Sequence, residues 1–342
     1  MHPDWLAFLA SRGASVTDGM VRDFGDAARE RATTAGGSVV ADLSQYGLLV
    51  AGGADARSFL HAQLSCDVED LADDAAAYGA YCTAKGRVLA NFLLWSEEKA
   101  FFLLLPRPLV PGIRKRLQMF VLRSKVTLTD RSDDRVVLGL AGAGARAAVE
   151  RLMATAPAGL LKIARAGGVT SIEIDGGRFI ALAPVAQAAA AWERVAGALM
   201  PVGAPCWEWL EIARGLPWIT AATQDQFVPQ MANLELIGGV NFRKGCYPGQ
   251  EIVARTQYLG KPKRRLFLAH VDAAASPAPG DTLVADGGDQ SAGTVVNAAP
   301  APQGGFDLLA VVQTASADAA TVRLGSPGGP ALRFRPLPYP VP

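Results

Sequence analysis

Histidine is nearly missing from this chain: His2, His61 and His270 are the only three among 342 residues. None stands in an acid–base or metal-ligand motif, which argues against a histidine-centred site. Each reads as a surface or packed residue. Cysteine is scarce too. Cys66, Cys82, Cys206 and Cys246 are scattered, with no CxxC pair, so the spacing argues against a self-contained zinc or ferredoxin-type centre. No apolar run is long enough to span a bilayer. Asp4 comes early and the apolar run after it is brief, so no secretory leader is read. A reducing cytoplasm with free thiols is the expectation. Net charge is also lacking, with 33 basic side chains against 32 acidic ones. Nothing in that balance pulls the whole molecule toward nucleic acid or an anionic membrane.

What remains is a chain with 50% hydrophobic residues, enough for a large core spread over two or three domains. Residues 1–36 read as a short helix and a peripheral lead-in. A strand over 39–50 is broken around Ser44–Gly47, and 54–64 looks helical, with Phe59, Leu60 and Leu64 on one face. Residues 78–82 and 88–95 pair across the Lys85-Gly86 turn. A strand follows over 100–105, then a helix opened by Pro111 and a short strand over 126–129. The pattern then restarts: strand 136–140, helix 144–153, a hairpin 169–182 around Asp175-Gly176-Gly177, and helix 188–199. Two units of similar order suggest two related α+β modules, at about 37–132 and 133–262. From 263 to 342, six short strands separated by turns rich in Gly, Pro and Ala read as a small all-β barrel or sandwich.

The densest chemistry lies between Gly239 and Arg255: Cys246, three cations (Arg243, Lys244, Arg255), Glu251 and three glycines. Val240 and Phe242 alternate with polar neighbours as in a strand, 244–249 reads as a loop, and a helix is expected from Gln250. Cys246 then precedes a helix N-terminus and stands two residues from Lys244. Both features favour the thiolate, so Cys246 is a candidate reactive or ligating thiol with Lys244 as its activating cation. The plain alternative, a small apolar residue filling a tight turn, stays open on local chemistry alone. Gly245 and Gly249 would supply turns that a Cβ does not allow. Glu251 would cap the loop or pair with Arg255.

The run Lys244-Gly245-Cys246-Tyr247-Pro248-Gly249-Gln250-Glu251 resembles the K-G-C-Y-x-G-Q-E signature of the YgfZ family, folate-binding proteins linked to iron–sulfur cluster assembly and tRNA modification. They are relatives of the glycine-cleavage aminomethyltransferase, the T-protein. Phe227–Leu234 is similar to the family's F-x-P-Q-x-x-N-L segment, and Cys82–Arg87 to its C-x-x-K-G-K/R turn. The helix after Gly53 resembles the opening of a T-protein-like domain, and Pro336–Tyr339 more loosely the family's ending. Only the first 35 or so residues fall outside. The resemblance implies two α+β modules and a C-terminal β-barrel around a central cleft.

It also implies a tetrahydrofolate site with Trp207 and Tyr46 as flat walls. A pterin needs apolar stacking surface and a few directed polar groups. A polyglutamate tail would need cations, and Arg255, Lys261, Lys263, Arg264 and Arg265 are the densest basic cluster. A carboxylate that serves the T-protein's reaction aligns with Ala90 and Asn91, so aminomethyltransferase activity is not expected. The implied function is a folate-binding accessory protein that supports assembly or repair of iron–sulfur clusters in client enzymes and so affects tRNA modification indirectly. Cys246 would be a transient cluster ligand, with Cys82 as a neighbour if the ring brings it close. The alternative is a folate-dependent one-carbon or redox enzyme with Cys246 as nucleophile. Direct RNA binding is disfavoured by the charge balance.

Overall fold

A computed structural model describes residues 1–260, 262–286, 291–319 and 321–341. Its centre is a pair of sheets packed face to face. The first sheet is antiparallel throughout and runs, in spatial order, Ala76–Cys82, Val88–Glu97, Ala100–Pro106, Tyr46–Gly52 and Thr127–Asp130. The second runs Ile163–Ala166, Val169–Asp175, Arg178–Pro184, Arg135–Ala141, Val39–Asp42 and Met200–Val202, the last pair parallel.

Tyr46–Gly52 shows why these strands read as nearly continuous apolar runs. Tyr46, Leu48 and Val50 face the core shared between the sheets. Leu49 and Ala51 face the helices Ala56–Gln63 and Val110–Val121 on the outer side. Period-2 alternation with both faces covered leaves no polar side. Full burial of each Leu, Val or Phe in such a strand contributes roughly 1.5–3 kcal/mol. The second sheet repeats the arrangement. Val137 and Ala141 point to the shared core, while Val136, Leu138 and Leu140 pack on the helices Ala145–Met153 and Val185–Ala196.

The broken strand read over 39–50 proves to be a crossing between sheets. Val39–Asp42 pairs with Arg135–Ala141 in the second sheet, and Tyr46 begins the first. Residues 1–36, expected as a peripheral lead-in, are instead built into the outer layer. Trp5, Leu9 and Val21 are buried there. The Trp5 indole N–H donates to Asp42 at 2.7 Å, and the buried Glu30 accepts from Gly203 N at 2.8 Å. A helix carrying one Trp and one Leu on its inner side gives little periodicity to read.

The C-terminal strands are all where the sequence put them. They form one curled antiparallel sheet ordered Val322–Leu324, Thr282–Ala285, Ser291–Pro300, Phe306–Gln313, Arg264–Val271 and Leu332–Arg335. A bridge between Arg323 and Ala331 draws the two edges together, giving a half-barrel. One apolar cluster joins this unit to the rest, uniting Cys82 and Val88 of the first sheet, Phe227 and Leu234, and Leu266, Val296 and Leu309. No described helix is long and apolar enough to cross a membrane.

Candidate functional site

The segment 239–249 is a loop without strand structure, against the strand expected at Val240 and Phe242. Val240 is buried, but the backbone finds single anchors rather than a ladder. Asn241 N donates to Ser65 O at 2.8 Å, and the Ser65 hydroxyl donates to Gly239 O at 2.6 Å. The expected helix does follow, as Gln250–Leu259.

Lys244 explains how the loop is held. Its side chain is 8% exposed. The ammonium donates to Leu64 O at 2.8 Å and also to His61 O, capping carbonyls at the C-terminal end of helix Ala56–Gln63, where positive charge is favoured. It also lies 5.0 Å from the centre of the Tyr247 ring. Burial holds the Lys244 ammonium below the ordinary lysine pKa. The sequence suggests that Lys244 activates the thiol, but among the described residues no hydrogen bond joins it to the Cys246 sulfur. Its observed contacts fix the loop.

Tyr247 is buried, while Cys246 beside it is exposed. Gly249 has φ +82, and a Cβ there would strike Thr83 O and lie 2.6 Å from Gly86 Cα. Only glycine fits this contact between the loop and the 82–87 turn. Gly245 differs: its φ is ordinary, and a Cβ would meet His61 Nε2 at 3.5 Å, which is normal contact. Its turn therefore does not demand glycine, contrary to expectation. Gln250 is half-buried, and its N–H donates to Tyr247 O at 3.1 Å. Glu251 and Arg255 are both exposed, and no ion pair forms between them.

Cys82 lies in the core under the loop, its thiol pushed up to about 12 by burial. Cys66 and Cys206 are likewise buried, with thiols pushed up to about 12 and about 11. Among the described residues no three His, Cys, Asp or Glu side chains converge on a metal position.

The second feature is a cavity of about 460 Å³ where the first sheet and the helix Ala204–Ala213 meet the half-barrel. Tyr46, Trp218, Glu208, Glu211, Gln45 and Asn297 are among its lining. The Tyr46 and Trp218 rings lie 4.8 Å apart, centre to centre, and the Tyr46 hydroxyl donates to Glu211. Burial raises the Glu211 carboxyl above its ordinary value, and the nearby Tyr46, Arg178 and Trp218 offset part of the rise. Glu208 is pushed up to about 7 by burial and by Glu211 beside it. Both polar atoms of the Gln45 amide lack a hydrogen-bond partner among the described residues. The Trp218 indole N–H, although near Glu211, meets no acceptor in good hydrogen-bond geometry.

Tyr46 therefore stands in the cavity wall. Trp207 does not: it is fully buried, its ring pressed under Gly139, where a Cβ would lie 2.6 Å from Cζ3. It belongs to the core between the sheets, and Trp218 takes the wall position. Trp218 follows the Gly215-Leu216-Pro217 turn, and its aromatic character is the only signal in the sequence. Asn91 holds this segment in place, donating to Pro217 O at 2.8 Å and accepting from Ile219 N at 2.8 Å. Arg255 is not among the lining residues. Of the other basic residues, Lys261 lies outside the described residues, Lys263 is exposed and Arg264 half-buried. Arg265 is buried and paired with Glu235.

Two stacked α+β sheets with a docked half-barrel define a T-protein-type fold. In agreement, the aminomethyltransferase T of the glycine cleavage system from Bartonella henselae superposes with a TM-score of 0.82 at 18% identity, covering 99% of this chain and 97% of its own. Residues 19–183 match the GCVT N-terminal domain family, so the likeness begins well inside the first 35 residues. The tRNA-modifying protein YgfZ of Colwellia psychrerythraea is 31% identical over 302 residues, 87% of this chain and 92% of that one. YgfZ of Escherichia coli O45:K1 is 32% identical over 301 residues, with the same coverages. The chain belongs to the YgfZ family.

Proposed function

We propose that the chain binds a tetrahydrofolate in the cavity between Tyr46 and Trp218 and offers Cys246 to iron–sulfur client or scaffold proteins, acting on tRNA modification through them. The observation that carries the folate reading is the pairing of two aromatic rings with two acids, Glu211 buried and Glu208 half-buried. A reduced pterin presents a flat body and an edge of N–H donors. Tyr46 and Trp218 supply surface for the first, and Glu208 and Glu211 supply acceptors for the second. The unpartnered Gln45 amide and Trp218 N–H are further polar groups that a ligand would satisfy.

The exposed Cys246 supports the second half. One thiol cannot hold a stable cluster, so the cluster is cargo shared with a partner's ligands. No residue of 239–259 lines the cavity, which favours two separate tasks over an enzyme with Cys246 as nucleophile toward the folate. Asn91, committed to backbone recognition, offers no acid or base for aminomethyl transfer.

The test is calorimetric titration with tetrahydrofolate. Wild type and Cys246→Ala are expected to bind alike, and Trp218→Ala to lose at least about tenfold in affinity. No binding by the wild type, or full binding by Trp218→Ala, would overturn the folate reading. Undiminished client-enzyme activity in cells carrying Cys246→Ala would overturn the thiol role.

A further inference from the structure

A second cavity, of about 470 Å³, shares no lining residue with the first. Arg146, Arg178 and Arg214 reach it, and Gly36, Gly176 and Gly177 form part of its rim. Arg178 is the unusual one. It is 3% exposed, and its Nε donates to Asp175 at 2.7 Å. Its guanidinium sits 5.6 Å from the Trp207 ring centre. Nη1 and Nη2 have no hydrogen-bond partner among the described residues. A buried guanidinium with most of its donors unused is costly unless something else accepts from them.

The neighbouring arginines divide the work. Arg146 is committed, to Glu173 at 2.7 Å and to Pro157 O at 2.9 Å. Arg214 is 57% exposed and only loosely paired, 3.6 Å from Asp175. Three guanidinium groups thus line the cavity beside one carboxylate, Glu173, with Asp175 paired to Arg178 and Arg214 and Glu211 also near Arg178. A side chain at Gly36, Gly176 or Gly177 would meet no atom within 4 Å, so the rim is open.

We propose that this cavity binds the phosphate group of a small phosphorylated molecule, with Arg178 as the buried fork and Arg214 closing from the rim. Two guanidinium groups approaching from different elements suit an anion with three or more oxygens around one centre better than a two-oxygen carboxylate. The volume leaves room for a group attached to the phosphate. The inference does not depend on the folate reading.

Calorimetric titration of the full chain with pyrophosphate at constant ionic strength tests it, with glutarate as the carboxylate control. Saturable pyrophosphate binding is expected for the wild type, with glutarate weaker. Arg214→Gln changes an exposed side chain, and Gly176→Glu sets a carboxylate at the open rim. Each is expected to weaken pyrophosphate at least about tenfold, with circular dichroism and tetrahydrofolate binding unchanged. Arg178→Lys should lose as much, and the other two variants decide the matter if it does not fold. No saturable binding, equal affinity in wild type and both rim variants, or tighter binding of glutarate would overturn the proposal.

Discussion

The loop 239–249 and the cavity around Glu211 treat their polar groups in opposite ways. In the loop, Lys244, Asn241 and Gly239 are tied to the segment 61–65 by hydrogen bonds. Gly249 locks it against the 82–87 turn. The result is a fixed platform with one exposed thiol. In the cavity, the Gln45 amide and Trp218 N–H lack partners, and two acids sit where burial makes ionisation hard. A segment whose polar groups are mostly paired, the Tyr247 hydroxyl excepted, is built to present something, and a cavity with several unpaired groups to receive something.

The contrast breaks most readily at Gly249. Gly249→Ala forces a side chain into a left-handed backbone and against Thr83 O, and is expected to cost about 2–4 kcal/mol in urea denaturation. Gly245→Ala, one turn earlier in the same motif, should cost less than about 0.5 kcal/mol. Equal costs would mean that the loop is not locked at Gly249.

Thiol labelling sharpens the comparison next. Cys66, Cys82 and Cys206 are buried with raised pKa values, while Cys246 is exposed. In the native chain Cys246 should react with a thiol reagent on the order of 100-fold faster than the other three, and Cys246→Ala should remove the fast phase. A fast phase that survives this substitution would point to an opening of the core.

On the cavity side, Glu208 gives a pH effect. Its folded pKa, about 7, lies above the unfolded carboxylate value of 4.5. Between these values the folded chain holds more protons, so this group makes stability fall as pH rises through that window. Glu208→Gln should flatten the slope. If the ionised carboxylate accepts from the pterin edge, tetrahydrofolate affinity should rise by up to about tenfold between pH 6 and 8, and lose that rise in Glu208→Gln. A pH-independent affinity in the wild type would remove Glu208 from the site. The smallest effect is expected at Glu251→Gln, within about 0.5 kcal/mol, since the side chain is exposed and unpaired with Arg255.

Much of the fold is legible because burial imposes periods on the sequence. The paired strands flanking Lys85-Gly86, the helix opened by Pro111 and all six strands after 263 carry their pattern in consecutive residues. The loop is legible as a motif, and so is its helix from Gln250. The strand expected before it is absent, because Val240 is buried by single contacts that mimic alternation. The anchoring role of Lys244 is not legible, since the carbonyls it caps belong to His61 and Leu64, far away in the chain. The placement of Trp207 in the core and of Trp218 in the cavity wall is not legible for the same reason: which aromatic reaches a cavity depends on Gly139 and Asn91, contributed by strands of different sheets.

By itself the sequence determined the α+β alternation, the short strands of the all-β C-terminal unit, the family signature and the glycine at the tight turn of that signature, because each depends on neighbours a few residues apart. Tertiary structure alone decided that the strand over 39–50 divides between two sheets, that Tyr46 meets Trp218 and Glu211, and that Arg178 lies buried with unused donors. Those outcomes depend on desolvation and on contacts between distant segments, and burial acquires a direction only once the chain has packed.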